Sequence, residues 1–160
     1  LTLADGARIH RGDLVAEFHL WNERVPPMAP SGPDLAWGRA FHAGFVRSLR
    51  LLATHMDTVP RFAAVRAIRG ESAFALSDQG SGARFAHALG FDFVRIPEAA
   101  TRWGRFHEFW ANFYSRMLIW TYNPASLRGK GITQLRRYQL WMSRARFDQR
   151  YGALKTDGDL

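Results

Sequence analysis

No cysteine occurs in the 160 residues, so disulfides, thiolate nucleophiles and cysteine-ligated zinc are excluded. Lysine is scarce as well: Lys130 and Lys155 are the only two, and the remaining positive charge is arginine. No apolar run reaches the roughly eighteen residues that a membrane-crossing helix needs, and no signal peptide is recognisable. The glycine signatures of dinucleotide and phosphate loops are missing, as are the GxSxG of serine hydrolases and the HExxH of zinc enzymes. A metal would have to draw on His42, His55, His87 or the pair His107-Glu108, at no recognised spacing. No cofactor and no metal is therefore expected. The chain opens on Leu1 with strand-like alternation already under way, so a processed fragment is expected, and whether an anchor, signal or domain precedes it stays open.

What is present points to one folded domain over residues 1–152, followed by a polar tail at 153–160. A composition of 47% hydrophobic and 22% charged residues is globular rather than disordered, and the length suffices for a core. Twelve Phe and six Trp are many for that core, so some rings are expected on a groove or contact surface. A formal charge of +8, carried by arginines that pair in bidentate fashion with phosphate and carboxylate, suits an anionic partner. A GC-rich coding genome would give the same arginine bias, so charge alone names no partner. Nucleic acid is not favoured, because no recognised motif accompanies the charge. The sequence leaves the oligomeric state open.

The first twenty-five residues hold two turn signals, Asp5-Gly6 and Gly12-Asp13, between runs of alternating residues. Glycine and aspartate tolerate the backbone of a tight reversal, so a three-stranded meander is expected: Leu1–Leu3, Ala7–His10 and Leu14–Trp21. In the third strand Ala16, Phe18 and Leu20 share an apolar face, and Val15, Glu17, His19 and Trp21 share the other. Asn22 and Glu23 close the run.

A proline-rich loop then leads to a helix starting near Pro33-Asp34 and ending near His55, with Trp37, Phe41, Phe45, Leu49 and Leu52 as its buried stripe. Ala64–Ile68 reads as a short strand ended by Arg69-Gly70, with a further strand over Ser72–Leu76. Ser77–Gly82 reads as a turn before a helix over Ala83–Leu89, Gly90 as its C′ residue, and Phe91–Ile96 as a strand. Thr101 caps a long helix to about Tyr122 whose aromatic stripe (Phe106, Phe109, Trp110, Phe113, Met117) is expected to form the seam with the sheet; exposure of that stripe would favour a membrane-surface or partner-binding role instead. Arg136–Met142 reads as the last strand, and Ser143 as the N-cap of a helix through Tyr151. Early strands followed by alternating helices and strands give an α+β or α/β domain: an N-terminal β-meander joined to a mixed sheet flanked by helices.

Two constellations can carry chemistry. Glu17 and His19 share a strand face, where a carboxylate can orient an imidazole, and Trp21 and Asn22 complete that wall. The bland alternative is a histidine satisfied by its neighbours. The second constellation is the basic segment Arg128, Lys130, Arg136, Arg137, Arg144, Arg146 and Arg150, interleaved with Tyr138, Trp141 and Phe147, which can hold phosphates or stack sugar rings. A solvated basic face is its alternative. Ser77–Gly82 with Leu89-Gly90-Phe91 has a superficial likeness to GNAT acetyltransferases, but a single short helix separates the two features and Ser77 stands where that superfamily has Gln or Arg.

Three segments together resemble the YkoP-like domain family: Leu3-Ala4-Asp5-Gly6 with Gly12 through Asn22 (GDLVAEFHLWN), then Leu89-Gly90-Phe91, then Trp141-Met142-Ser143-Arg144. This is a bacterial module found alone or beside polysaccharide-deacetylase domains. The resemblance implies a link to the cell envelope and its glycans or lipids, in the cytoplasm or on the inner face of the envelope, and supplies no catalytic assignment. Three functions fit: binding of an anionic or carbohydrate-containing lipid or glycan, an enzyme on such a ligand with His19 as general base oriented by Glu17, or a protein–protein interaction module.

Overall fold

The computed structural model describes residues 1–20, 24–32, 34–72, 81–96, 100–122, 124 and 138–152. In chain order these give β1 (Val15–Phe18), α1 (Leu35–Thr58), a 3-10 turn (Pro60–Phe62), β2 (Ala67–Ser72), α2 (Ser81–Ala88), β3 (Asp92–Arg95), α3 (Arg102–Tyr122), β4 (Tyr138–Ser143) and α4 (Arg144–Tyr151). The strands form one mixed sheet in the order β1-β2-β4-β3. β1 runs parallel to β2, and β4 runs antiparallel to both β2 and β3.

Alternation gives the sheet an apolar face and a polar one. Ala16, Phe18, Ile68, Leu140, Met142 and Phe93 join the core with Leu49, Ala53 and Met56 of α1, Ala86 of α2, and Phe147 and Tyr151 of α4. Gly70 lies mid-strand in β2 because the Phe18 ring occupies the space where a Cβ would stand. Expected as the residue ending a strand, it is instead what allows two core strands to close on each other.

Local signals set most element ends. Asp34 caps α1 by accepting from the Trp37 N–H at 2.7 Å, Thr101 Oγ1 accepts from the Gly104 N–H at 3.0 Å, and Ser143 Oγ accepts from the Arg146 N–H at 3.1 Å; each satisfies an orphan donor of a first turn. Gly6, Gly12 and Gly90 take positive φ of 82°, 97° and 86°, the backbone region that disfavours a Cβ.

Two expectations are corrected. The first hairpin closes, with Thr2 bridging Arg8, but β1 does not extend it into a meander; it pairs with β2 some fifty residues later. The Gly12 turn therefore redirects the chain into the sheet, and the apolar side of β1 is covered through Ala16 and Phe18. The second correction concerns α3, which has no buried residue. Phe106, Phe109, Trp110, Phe113 and Met117 are all exposed, Phe109 by 52%. The half-buried residues of this helix are Gly104, Glu108, Ala111, Asn112, Ser115, Arg116, Leu118 and Ile119. Helical spacing marked the aromatic stripe but not its direction, and a side of mixed small, polar and aliphatic residues is the less exposed one. The strand expected at Ser72–Leu76, the Ser77–Gly82 turn and the 153–160 tail fall on or extend into residues outside those described.

Candidate functional site

Register brings four side-chain positions into a row across the polar face of the sheet. Glu17 pairs with Arg69, Arg69 with Trp141, and Trp141 with Asp92. Glu17 points here because its neighbours Ala16 and Phe18 point into the core. Arg69 Nη2 donates to Glu71 Oε1 at 2.7 Å and lies 3.6 Å from Glu17 Oε1. Its guanidinium sits 5.8 Å from the centroid of the Trp141 ring, and the Trp141 indole N–H donates to Gln139 Oε1 at 3.0 Å. His19 Nε2 stands 3.6 Å from Glu17 Oε1, an ion-pair distance rather than a hydrogen bond. The His19 side chain is 78% exposed, so the reading in which it is a buried, internally satisfied histidine does not hold.

This face carries one more carboxylate than guanidinium. Two carboxylates, Glu17 and Glu71, flank one guanidinium, with His19 at the rim. Arg69 Nε is buried and has no hydrogen-bond partner among the described residues.

At one end of the sheet a second polar cluster fastens the N-terminal hairpin. Asp92 accepts from the Ala4 N–H at 2.6 Å and from Arg146 Nη1 at 3.2 Å. The Ser143 hydroxyl donates to Asp5, which also accepts from the Ala7 N–H at 3.0 Å. The Ser143 hydrogen bond holds the Asp5 carboxyl below the usual range, against a smaller opposing effect of burial.

Of the residues expected at a site, Glu17 and His19 are brought together on the open face. Trp21, Asn22, Arg128, Lys130, Arg136 and Arg137 lie outside the described residues. The rest of the basic segment is engaged internally. Arg144 clasps Asp148 at 2.7 Å, reaches Asp57 at 2.5 Å and donates to the Phe62 carbonyl at 3.3 Å; Arg146 holds Asp92, and Arg150 donates to the Ala88 carbonyl. Tyr138 and Phe147, expected among the stacking rings, are buried, which leaves Trp141 half-exposed on the polar face. Alternation explains the split: Tyr138, Leu140 and Met142 face the core, Gln139 and Trp141 the other side.

Arg69, Glu71 and Gln139 were missed as site residues. Their signal is the alternation Ala67-Ile68-Arg69-Gly70-Glu71, obscured by taking Gly70 as a strand terminator. Among the described residues no three His, Asp or Glu side chains gather as a metal site, and no helix is long and apolar enough to cross a membrane.

No curated protein and no solved structure matches the chain. The family model of the YkoP domain matches residues 1–151, and by that match the chain belongs to the YkoP domain family.

Proposed function

We propose that this domain binds a carbohydrate-containing ligand of the bacterial cell envelope on the polar face of its sheet. The observation that carries the reading is the row of Glu17, Arg69 and Trp141, with Glu71, Gln139 and His19 beside it. A flat indole beside several fixed hydrogen-bonding groups suits a sugar, whose ring offers an apolar face and a rim of hydroxyls. Two carboxylates to one guanidinium favour neutral or amine-bearing sugars on this face over anionic ones. Attachment to an anionic lipid or glycan rests on Arg128, Lys130, Arg136 and Arg137, expected from the sequence. The envelope as the source of the ligand rests on the family context.

The 3.6 Å approach of His19 to Glu17 favours a second reading, in which His19 is a general base acting on the same class of ligand. Titration with oligosaccharides of N-acetylglucosamine and with their deacetylated forms, followed by NMR, tests the first reading. Shifts confined to Glu17, Arg69, Glu71 and Trp141, and weakened in Glu71→Gln, are expected; no shift with either sugar overturns it. Because His19 is exposed, His19→Ala should change stability by less than about 1 kcal/mol. Binding kept in His19→Ala while turnover of the bound sugar disappears would establish the enzyme.

A further inference from the structure

α3 is inverted relative to an ordinary surface helix. Trp103, Phe106, Phe109, Trp110, Phe113 and Trp120 are exposed, while the side carrying Gly104, Ala111, Ser115, Leu118 and Ile119 is half-buried. At about 100° per residue, the exposed rings together with Tyr114 and Met117 fill an arc of roughly 140°, a continuous apolar face. The rings stack on one another, Trp103 on Phe106 at 5.4 Å and Phe109 on Phe113 at 6.4 Å, and none joins the core cluster among the described residues. Exposure of this order over one helix marks a surface that something covers.

Charge and ring type identify the occupant. The helix carries Arg102, Arg105 and Arg116 against the single acid Glu108, in a chain of formal charge +8. Arg102 and Arg105 are exposed at the start of the stripe. A second copy of this chain would bring arginines against arginines along the same face, which like-charge repulsion opposes. A surface rich in anionic headgroups complements them. Trp and Tyr, with an apolar body and a polar edge, are the residues that settle at the boundary between headgroups and acyl chains. The helix is not apolar enough to span a bilayer, and a 21-residue helix with one aromatic face and basic residues beside it suits lying in the plane of the interface.

We propose that α3 seats the domain on an anionic bilayer surface, with its aromatic face among the lipid headgroups and Arg102 and Arg105 on their phosphates. The inference stands on α3 alone and holds whatever ligand the sheet face takes. The test is flotation of the full chain with vesicles rich in phosphatidylglycerol and with vesicles of phosphatidylcholine alone. Co-flotation with the anionic vesicles, falling as salt is raised, is expected. The pair Phe109→Ser and Phe113→Ser should weaken it at least about tenfold, with the thermal melt retained because both rings are exposed. Arg102→Glu with Arg105→Glu should weaken it as well, and provides the readout should the serine pair fail to fold. No flotation with anionic vesicles, or flotation unchanged by either pair, overturns the proposal. So does a concentration-dependent dimer dispersed by the serine pair, which would make a second copy the occupant.

Discussion

α1 and α3 look alike in sequence and differ completely in the fold. Each is a long helix with aromatic residues recurring at spacings of three and four. The stripe of α1 begins with Trp37 and Phe41, stacked 5.2 Å apart, and narrows toward its end to Leu49, Ala53 and Met56, all buried. The stripe of α3 is aromatic apart from Met117 and stays exposed along its length, and the half-buried side carries Gly104, Ala111, Ser115, Leu118 and Ile119. Small residues do not by themselves mark the inward side, since Ala36, Ala40, Ala43, Gly44 and Ser48 of α1 are exposed. What separates the two helices is that the α1 stripe packs against the core while the α3 stripe is exposed.

The sharpest way to break this comparison is truncation of one residue on each helix. Leu49→Ala should lower stability by about 2–5 kcal/mol, the range for a buried leucine, since Leu49 is 3% exposed. Phe109→Ala should change it by less than about 1 kcal/mol, as for a surface position. Denaturant unfolding of both variants decides. Similar losses in the two would show that the α3 stripe is covered within the folded chain.

The next largest effect belongs to Gly70. A valine there must displace the Phe18 ring and should cost roughly 1–3 kcal/mol, the range for overpacking a core. Because Phe18 adjoins Glu17, the sugar binding proposed for the opposite face should weaken in the protein that remains folded. Intact stability would mean that the ring moves freely, and that the register of β1 on β2 does not depend on it.

Gly12→Val is expected to cost about 1 kcal/mol or a little more, through backbone strain alone. A Cβ at this position meets nothing within 4 Å, while φ is 97°. Gly12→Asn should be milder, because asparagine tolerates that backbone. A valine variant with an unchanged melting temperature would remove the tight turn as the device that redirects the chain into β1.

The smallest effect is set by pH. The Asp5 carboxyl has a lowered pKa in the folded state, so the hairpin contact stabilises the fold above the unfolded value near pH 4. That contribution is lost as pH falls through the lower folded value. Asp5→Asn should therefore flatten the acid side of the melting curve and leave the neutral side nearly unchanged apart from the weakened hydrogen bond. An acid limb identical to wild type would show that Asp5 does not fasten the hairpin.

Much of this architecture was legible from local chemistry. Caps at Asp34, Thr101 and Ser143, the turn glycines at 6 and 12, and the C′ glycine at 90 each follow from one residue and its immediate neighbours. The pairing of β1 with β2 was not, since it joins segments some fifty residues apart and no local signal distinguishes it from a meander. The site was half legible for the same reason. Glu17 and His19 share a strand and announce themselves, whereas Arg69 and Trp141 become their neighbours only through register. Arg144 and Arg146 were legible as charge, but their acidic partners Asp57, Asp148 and Asp92 were not identifiable before the fold brought them close.

The row across the sheet also has a consequence for the order of folding. Glu17, Arg69 and Trp141 come from three stretches of chain that local helix formation cannot bring together, and the loops between them must close first. The hairpin contact of Asp5 with Ser143 spans 138 positions, so the hairpin waits for a much later stretch of chain before it is fastened. The row cannot exist on a nascent chain that stops short of β4. A truncated product would lack it altogether rather than hold a weaker version of it.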